Sequence, residues 1–495
     1  MKIYRSASVL LGLVAALMLT SARAQPVSQL FPPPPLAPLV MTGVTGAHVF
    51  TTEHSGVFNG HRFRYDATVA ETIIEDPRKV PAADLYSISY IAGGISHPEA
   101  RPVMFIFNGG PGASSVFLHL CSLGPKILKD CSPTGTANPA TPLIDNHASP
   151  LDVADLVFID PTDTGWSHTL PGVAPVQFHS VDGDSDEVTA LIMWWLRTHD
   201  RLASPVYVYG ESYGSMRGVA VVRDLARSTP KIAVSGLMLG GFAISFGRGN
   251  GTPDPVWEAL RLPTAASMAW YYGKVDNKHQ TWAQAVAKAT TFALTQYVGA
   301  MIRGHRLDPV TRARIIERLP ALCGIPKSYF RSHHTIKVGA FATELLHDRG
   351  LVLDGDNGMW THPAGAKRPK KGSIAYGVAM ARYARRDLKV HGIGDYHIIT
   401  PNDFRVFEEW HYRTSGASSL EVTLSQEMRD NPQMRLLVVQ GRYDNQTQVA
   451  DTLYVLDQTD IPWARLKIAY FNGGHMLEPK PGVMHAIRGF LTAAP

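Results

Sequence analysis

The sequence predicts an α/β fold: a doubly wound, mostly parallel sheet carrying a helical cap insertion. Three observations point there. Short apolar runs rich in β-branched and aromatic residues recur near 103–107, 155–160, 205–209 and 235–240. They lack the alternation of a half-solvated sheet and read as strands covered on both faces. Between two of them, in Asp186 to Thr198, Val188, Leu191, Ile192, Trp195 and Leu196 recur at helical spacing, as in a helix packed on the sheet. Two further runs, Met434 to Gln440 and Leu466 to Phe471, resume the strand pattern after a long helical interruption.

In chain order, residues 1–24 read as an export signal. Lys2 and Arg5 precede an apolar run from Ala7 to Leu19, and Ala22-Arg23-Ala24 offers a cleavage site before Gln25. That run is short for a membrane span, and no later stretch is apolar enough to be one. Residues 25–45 are a proline-rich approach, with Pro32 to Pro35 consecutive, and read as extended chain. Antiparallel strands are expected from about Val49 to Ala92, turning at Asn59-Gly60, a pair suited to the positive φ angles of a tight hairpin. The first part of the core spans 46–246. The pattern breaks at Gly247-Arg248-Gly249-Asn250-Gly251, and 247–404 reads as a helical cap insertion. Thr281 to Ile302 is one long periodic segment there, and Asp308-Pro309 pairs an N-cap with proline at the first helical position. Trp257, Trp270, Tyr271 and Tyr272 lie in this insertion and read chiefly as core, with a pocket lining as the alternative. The second part of the core spans 405–495.

Gly210-Glu211-Ser212-Tyr213-Gly214 stands between the strand Pro205 to Tyr209 and a segment, Val219 to Ala226, that continues as helix. G-x-S-x-G in that setting is a nucleophile elbow, in which small residues let the chain turn sharply enough to expose the serine hydroxyl. Serine needs a base, and the base an orienting acid. Gly441-Arg442-Tyr443-Asp444 follows one late strand and Asn472-Gly473-Gly474-His475 the other, so Ser212, Asp444 and His475 appear in the α/β-hydrolase order at three strand ends. The strand Val103 to Phe107 runs into Asn108-Gly109-Gly110-Pro111-Gly112, glycines that let backbone N–H groups approach a reacting carbonyl oxygen. A phosphate-cradling loop would need a Gly-Lys-Ser/Thr ending or a G-x-G-x-x-G, and neither is present.

These segments, with Leu123-Gly124-Pro125 and the weaker Gly165-Trp166-Ser167 and Gly236 to Gly241, resemble the serine carboxypeptidase family in content and order. The resemblance implies an α/β-hydrolase with Ser212 as nucleophile, His475 as general base then acid, and Asp444 orienting His475. It implies an oxyanion hole from the N–H groups of Gly110 and Tyr213. It also implies that Asn108, Gly109 and Glu211 bind the free carboxylate of a peptide. Two ionised carboxylates repel, so Glu211 must carry a proton to bind one. In the family a second glutamate shares that proton; the corresponding position here is Ser122, whose hydroxyl can donate to Glu211 or to the ligand but cannot share a proton in that way.

Removing residues 1–24 takes away three of the 47 basic residues and none of the 42 acids, leaving a net charge of +2 instead of +5. Neither nucleic acid nor an anionic membrane surface is implied as a partner. The basic run Lys367-Arg368-Pro369-Lys370-Lys371 is broken by proline and reads as a solvated loop. Of three cysteines, Cys121 and Cys131 are spaced for a bridge, with two free thiols the alternative. The family's secreted and vacuolar members carry more disulfides, and Ala113 stands where many have cysteine. Acceptor sequons occur at Asn250-Gly251-Thr252 and Asn445-Gln446-Thr447, the second beside Asp444 where a glycan would be badly placed. Few cysteines and that sequon favour bacterial export, periplasmic or secreted.

No metal or other cofactor is expected. His333-His334 has no spaced partner, and Asp354-Gly355-Asp356-Asn357-Gly358 has Gly365 where a calcium loop needs its bidentate glutamate, so it reads as a turn. The expected activity is a serine carboxypeptidase on peptide substrates. The alternatives are an esterase or acyltransferase with the same triad and, from another class, a binding protein without turnover. Oligomeric state is not readable from the sequence.

Overall fold

The computed structural model describes residues 41–131, 139–245, 254–366, 371–400, 406, 408–412, 414 and 419–493. The expected export signal, Pro32 to Pro35, the sequon at Asn250 and the basic residues 367–370 lie outside the described residues. The strands in chain order are β1 (Thr42–Phe58), β2 (His61–Glu75), β3 (Pro81–Ala92), β4 (Val103–Phe107), β5 (Lys126–Leu128), β6 (Leu143–Asp145), β7 (Asp155–Asp160), β8 (His168–Thr169), β9 (Val206–Glu211), β10 (Val234–Gly240), β11 (Leu351–Leu353), β12 (Thr361–Pro363), β13 (Arg435–Gly441) and β14 (Leu466–Phe471).

The main sheet runs β1-β2-β3-β7-β4-β9-β10-β13-β14, with β8 beside β3. β1, β2, β3 and β7 pair antiparallel; from β7 to β14 all neighbours are parallel. Asn59 (φ 49°) and Gly60 (φ 87°) make the expected turn between β1 and β2. β1 opens at Thr42, inside the stretch read as proline-rich approach, because Pro38 is the last proline and the residues after it can donate to a ladder.

Alternation along the strands builds two cores. Val103, Phe105 and Phe107 of β4 and Leu436 and Val438 of β13 join the helices Val181–Thr198, Gly214–Arg227 and Leu420–Asp430 on one face. Met104, Ile106, Leu437 and Val439 face the helix Pro481–Thr492 and the segment Tyr376 to Val390 on the other. Trp195 is 1% exposed and belongs to the first core. The insertion has a core of its own, from Ala259 to Leu353, that takes in Tyr443 and Val449 beside the main sheet. Its helices start where the sequence caps them: Asp254 accepts from Val256 N and Trp257 N, Thr281 forms a capping box with Gln284, and Asp308 accepts from Thr311 N. The segment 282–303 is continuous, with a wider π-turn at Ala293–Tyr297. Trp257 packs edge-on to Tyr454 and Tyr271 tilts against Tyr443. No helix of the described residues is long and apolar enough to cross a membrane.

Chain order and sheet order part at β4: the chain leaves it for β7 on one side and returns to β9 on the other. That reversal opens a crevice at the carboxyl ends of β4 and β9, where α/β sheets bind ligands.

β7 is anchored at its start by Asp155, 1% exposed, which accepts from Arg101 Nε (2.8 Å), Arg201 Nη1 (2.5 Å) and Ala92 N (3.0 Å). Asp155→Ala leaves the buried Arg201 without its counter-charge and should cost about 3–5 kcal/mol in urea unfolding. A loss below about 1 kcal/mol would mean the cluster carries no more than a surface pair.

Candidate active site

Ser212 sits between β9 and the helix Gly214–Arg227 at φ +61°, a conformation that L side chains adopt only under constraint. The turn admits no bulk on either side: a Cβ on Gly210 would lie 1.9 Å from Gly214 O, and one on Gly109 2.5 Å from Tyr213 N. Ser212 N donates to Gly240 O (2.8 Å), fixing the elbow to the end of β10. A Cβ on the next residue, Gly241, would lie 2.9 Å from His475 Cε1, so Ser212 and His475 converge on the same backbone.

His475 is 8% exposed, and its Nδ1 lies 3.0 Å from Oδ2 of Asp444, which is fully buried. A carboxylate only accepts, so Nδ1 carries the proton and Nε2 is left as the basic nitrogen. Asp444 Oδ1 accepts from Gln446 N (2.8 Å) and Thr447 N (2.9 Å). Its Oδ2 accepts from Thr447 Oγ1 (2.6 Å) and Gln440 Nε2 (3.3 Å). Burial pulls His475 down, but the charge and hydrogen bond of Asp444, with smaller contributions from Glu211 and Asp356, raise it to about 9.

Gly110 stands at φ +103°, and Gly109, packed on the elbow backbone, carries it alongside Tyr213. Among the described residues neither Gly110 N–H nor Tyr213 N–H has an acceptor. The glycine loop is strapped from above by 398–400: Thr400 N donates to Gly112 O (2.9 Å) and Ser114 N to Ile398 O (3.0 Å).

Glu211 is 2% exposed and accepts on both oxygens, from Asn108 Nδ2 (2.8 Å) and from Leu477 N (2.7 Å). Asn108 Oδ1 accepts from Leu118 N (2.9 Å), which orients its amide nitrogen towards Glu211. Burial pushes Glu211 up to about 7 against the lowering effect of these donors. Ser122 does not reach Glu211, one of the two roles its sequence position allowed. Its hydroxyl donates to Leu477 O (2.5 Å), the same residue whose N–H, in the preceding peptide unit, donates to Glu211.

Sequence reasoning missed a supporting layer. Buried Arg217 donates to Asn108 O and from Nε to Asp184 (2.8 Å), and Tyr213 OH donates to the same Asp184 (3.0 Å). Trp410 Nε1 in turn donates to Tyr213 OH (3.0 Å). Thr447 and Asp356 belong to the same layer. Arg217 follows Ser212 by little more than a helical turn, which is the signal that was available; the others have none.

The cysteines are free: Cys131 Sγ donates to Cys121 O (3.4 Å) and Leu128 O (3.4 Å), so the bridge is not formed. Both line a cavity of about 280 Å³ that reaches His475, with Leu128, Trp360 and Met476 among its other walls. Asp354 spends one carboxylate oxygen on the amides of Asp356 and Asn357 and the other on His362, which is turn chemistry. His333 and His334 are exposed, and no metal-ligating cluster occurs among the described residues.

The sequence model of the serine carboxypeptidase family matches residues 90–305. Serine carboxypeptidase-like 9 of Arabidopsis thaliana is 27% identical over 158 residues, 30% of this chain and 35% of that protein. Serine carboxypeptidase-like 7 of the same plant is 28% identical over 180 residues, 35% of this chain and 38% of that protein. The matches therefore span little more than a third of these relatives' length. A prohormone-processing carboxypeptidase from Saccharomyces cerevisiae shares the fold with a TM-score of 0.55 at 13% identity, over 86% of this chain and 90% of that one. The matched segment holds the glycine loop and the elbow, and over it the chain is similar to the serine carboxypeptidase family.

Proposed function

We propose that this protein is a serine carboxypeptidase that releases C-terminal amino acids from peptides, exported to the periplasm or secreted. The observation that carries the reading is Glu211. A carboxyl group kept buried next to Ser212, paired with an amide donor and raised to about 7, suits recognition of a second carboxyl group. Ser212 Oγ attacks the last peptide carbonyl as His475 Nε2 takes its proton. The oxyanion is held by Gly110 and Tyr213 N–H, a contribution of about 3–4 kcal/mol per donor in comparable sites. His475 then protonates the departing amino group, and water, activated by His475, hydrolyses the acyl group on Ser212. Asp444 holds the imidazole tautomer throughout.

An esterase or acyltransferase reading is favoured by one observation: Ser122 is turned to Leu477 O and supplies no second acid.

The reading is tested with an N-blocked dipeptide, its C-terminal amide and a matched ester, with Ser212→Ala as control. The free acid should be strongly preferred, and Ser212→Ala should abolish turnover; equal turnover of the amide or ester would move the function to the second reading. The pH dependence has a definite sign. Glu211, raised to about 7, is neutral below that pH and can bind a carboxylate; as pH rises through about 7 it ionises and repels it. kcat/KM for the free acid should therefore fall across neutrality while that for the ester does not, and Glu211→Gln should remove the difference.

Thr447→Val removes the hydroxyl that donates to Asp444 Oδ2 and lies 3.2 Å from His475 Nδ1. Hydrogen bonds to charged groups are worth about 1.5–3 kcal/mol, so ester kcat should fall about tenfold or more. An unchanged kcat would show that Gln440 and the two backbone amides suffice to hold Asp444.

A further inference from the structure

The turn between β11 and β12 belongs to the insertion, yet it lies on both loops that bear the candidate base and its acid. His475 N donates to Asp356 O (2.8 Å), and Gln446 Nε2 donates to Asp356 Oδ1. Asn357 bridges to Asp444 in β fashion and donates from Nδ2 to Glu478 Oε1 (3.3 Å). Gly358 N donates to Tyr443 O (2.9 Å), and Asn445 Nδ2 to Asp354 O (3.0 Å). The packing is close: a Cβ on Gly474 would lie 2.4 Å from Asn357 Cβ. The turn is held in shape by Asp354, 1% exposed, which accepts from Asp356 N (2.8 Å) and Asn357 N (3.1 Å) and pairs with His362 Nε2 (2.7 Å).

We propose that this turn is a positioning element of the triad, with Asp354 fixing its shape and Asp356 holding His475 from the side of the insertion. The proposal rests on the triad reading above. Backbone contacts from one turn reach residues 443, 445 and 475, so the separation between the Asp444 and His475 loops is set by a segment from outside the sheet. Asp356 adds charge as well as contact. The groups facing His475 are Asp444 from the loop after β13, Glu211 from the end of β9 and Asp356 from this turn, and all three favour the imidazolium. Lys129, Asp130, Glu478 and Lys480 share the adjoining cavity, two cations against two anions. Removing the Asp356 charge therefore makes His475 easier to deprotonate, whereas a merely structural lesion would not move its titration in a defined direction.

The experiment uses the full chain. The downfield proton resonance of His475 Nδ1–H is titrated in wild type and in Asp356→Asn, which keeps the backbone acceptor for His475 N. The midpoint should move to lower pH, and the acid limb of ester kcat should move with it. An unmoved midpoint would overturn the proposal and leave the triad reading intact; full activity in Ser212→Ala would instead sink the triad reading. In parallel, Asp354→Ala should lower ester kcat about 10- to 100-fold, as expected when reacting groups are displaced by about an ångström. KM should hold, and Asp354→Asn, which keeps the acceptor for both turn amides, should recover most of the loss. Equal losses in kcat from Ala and Asn would contradict the role given to that acceptor, and if Asp354→Ala does not fold, the Asp356→Asn titration still decides.

Discussion

The organisation of the site depends on the left-handed turn at Ser212. A residue at φ +61° is stable only where its neighbours leave the chain no alternative, and here they are backbone on every side. Gly210 abuts Gly214, Gly109 abuts Tyr213, and Ser212 N is tied to Gly240 O. Because β4, β9 and β10 are adjacent and parallel, their three carboxyl ends converge, and the glycine loop, the elbow and the seat of His475 arrive together. A side chain on Gly109 would push the glycine loop off the elbow; one on Gly241 would displace His475. The same geometry that turns the chain at Ser212 thus fixes the glycine loop and His475 around it.

Charge is arranged as tightly as backbone. Asp444, Glu211 and Asp356 come from three segments and all act on one imidazole. Asp444 accepts from two backbone amides, a hydroxyl and a side-chain amide in full burial. Glu211 has only two donors, and burial wins, raising it towards neutrality. These two buried carboxyls thus differ in how many donors they meet, and both act on His475. Their coupling has a consequence for catalysis. When Glu211 takes up a proton, one of the charges that hold His475 in its imidazolium form is withdrawn. In the carboxypeptidase reading proposed above, the state able to receive a substrate carboxylate is therefore also the state with the more available base.

The strands, the elbow, the turn at Asn59-Gly60 and the helix cap at Asp308 were legible because each rests on local chemistry: apolar runs, positive φ or a side chain bonding an amide three residues on. What the sequence hid is what depends on distant partners. Ser122 meets Leu477, 355 residues later, and nothing in the spacing of either distinguishes a donor to Glu211 from a donor to a carbonyl. Cys121 and Cys131 have the spacing of a bridge, but both thiols are turned towards backbone carbonyls. Asp354 to Gly358 read correctly as a turn, while its contacts with Tyr443, Asn445 and His475 follow only from the way the insertion folds back on the sheet. The opening of β1 at Thr42 shows the reverse case, a strand set by the absence of proline and masked by the proline-rich stretch before it.

In the carboxypeptidase reading proposed above, serine rather than an acid at position 122 changes the character of carboxylate recognition rather than simply weakening it. Two carboxyls sharing one proton titrate as a pair, with two macroscopic steps that belong to neither. Glu211 has no such partner: its contacts are an amide side chain and a backbone amide, neither of which titrates. Leu477 lies between the two: its carbonyl accepts from Ser122 and its N–H, part of the preceding peptide unit, donates to Glu211. That arrangement steadies the ionised form of Glu211 without supplying a proton, and burial alone must provide the neutral form. In the carboxypeptidase reading proposed above, the titrating part of C-terminus recognition therefore rests on Glu211 alone, raised by exclusion of water.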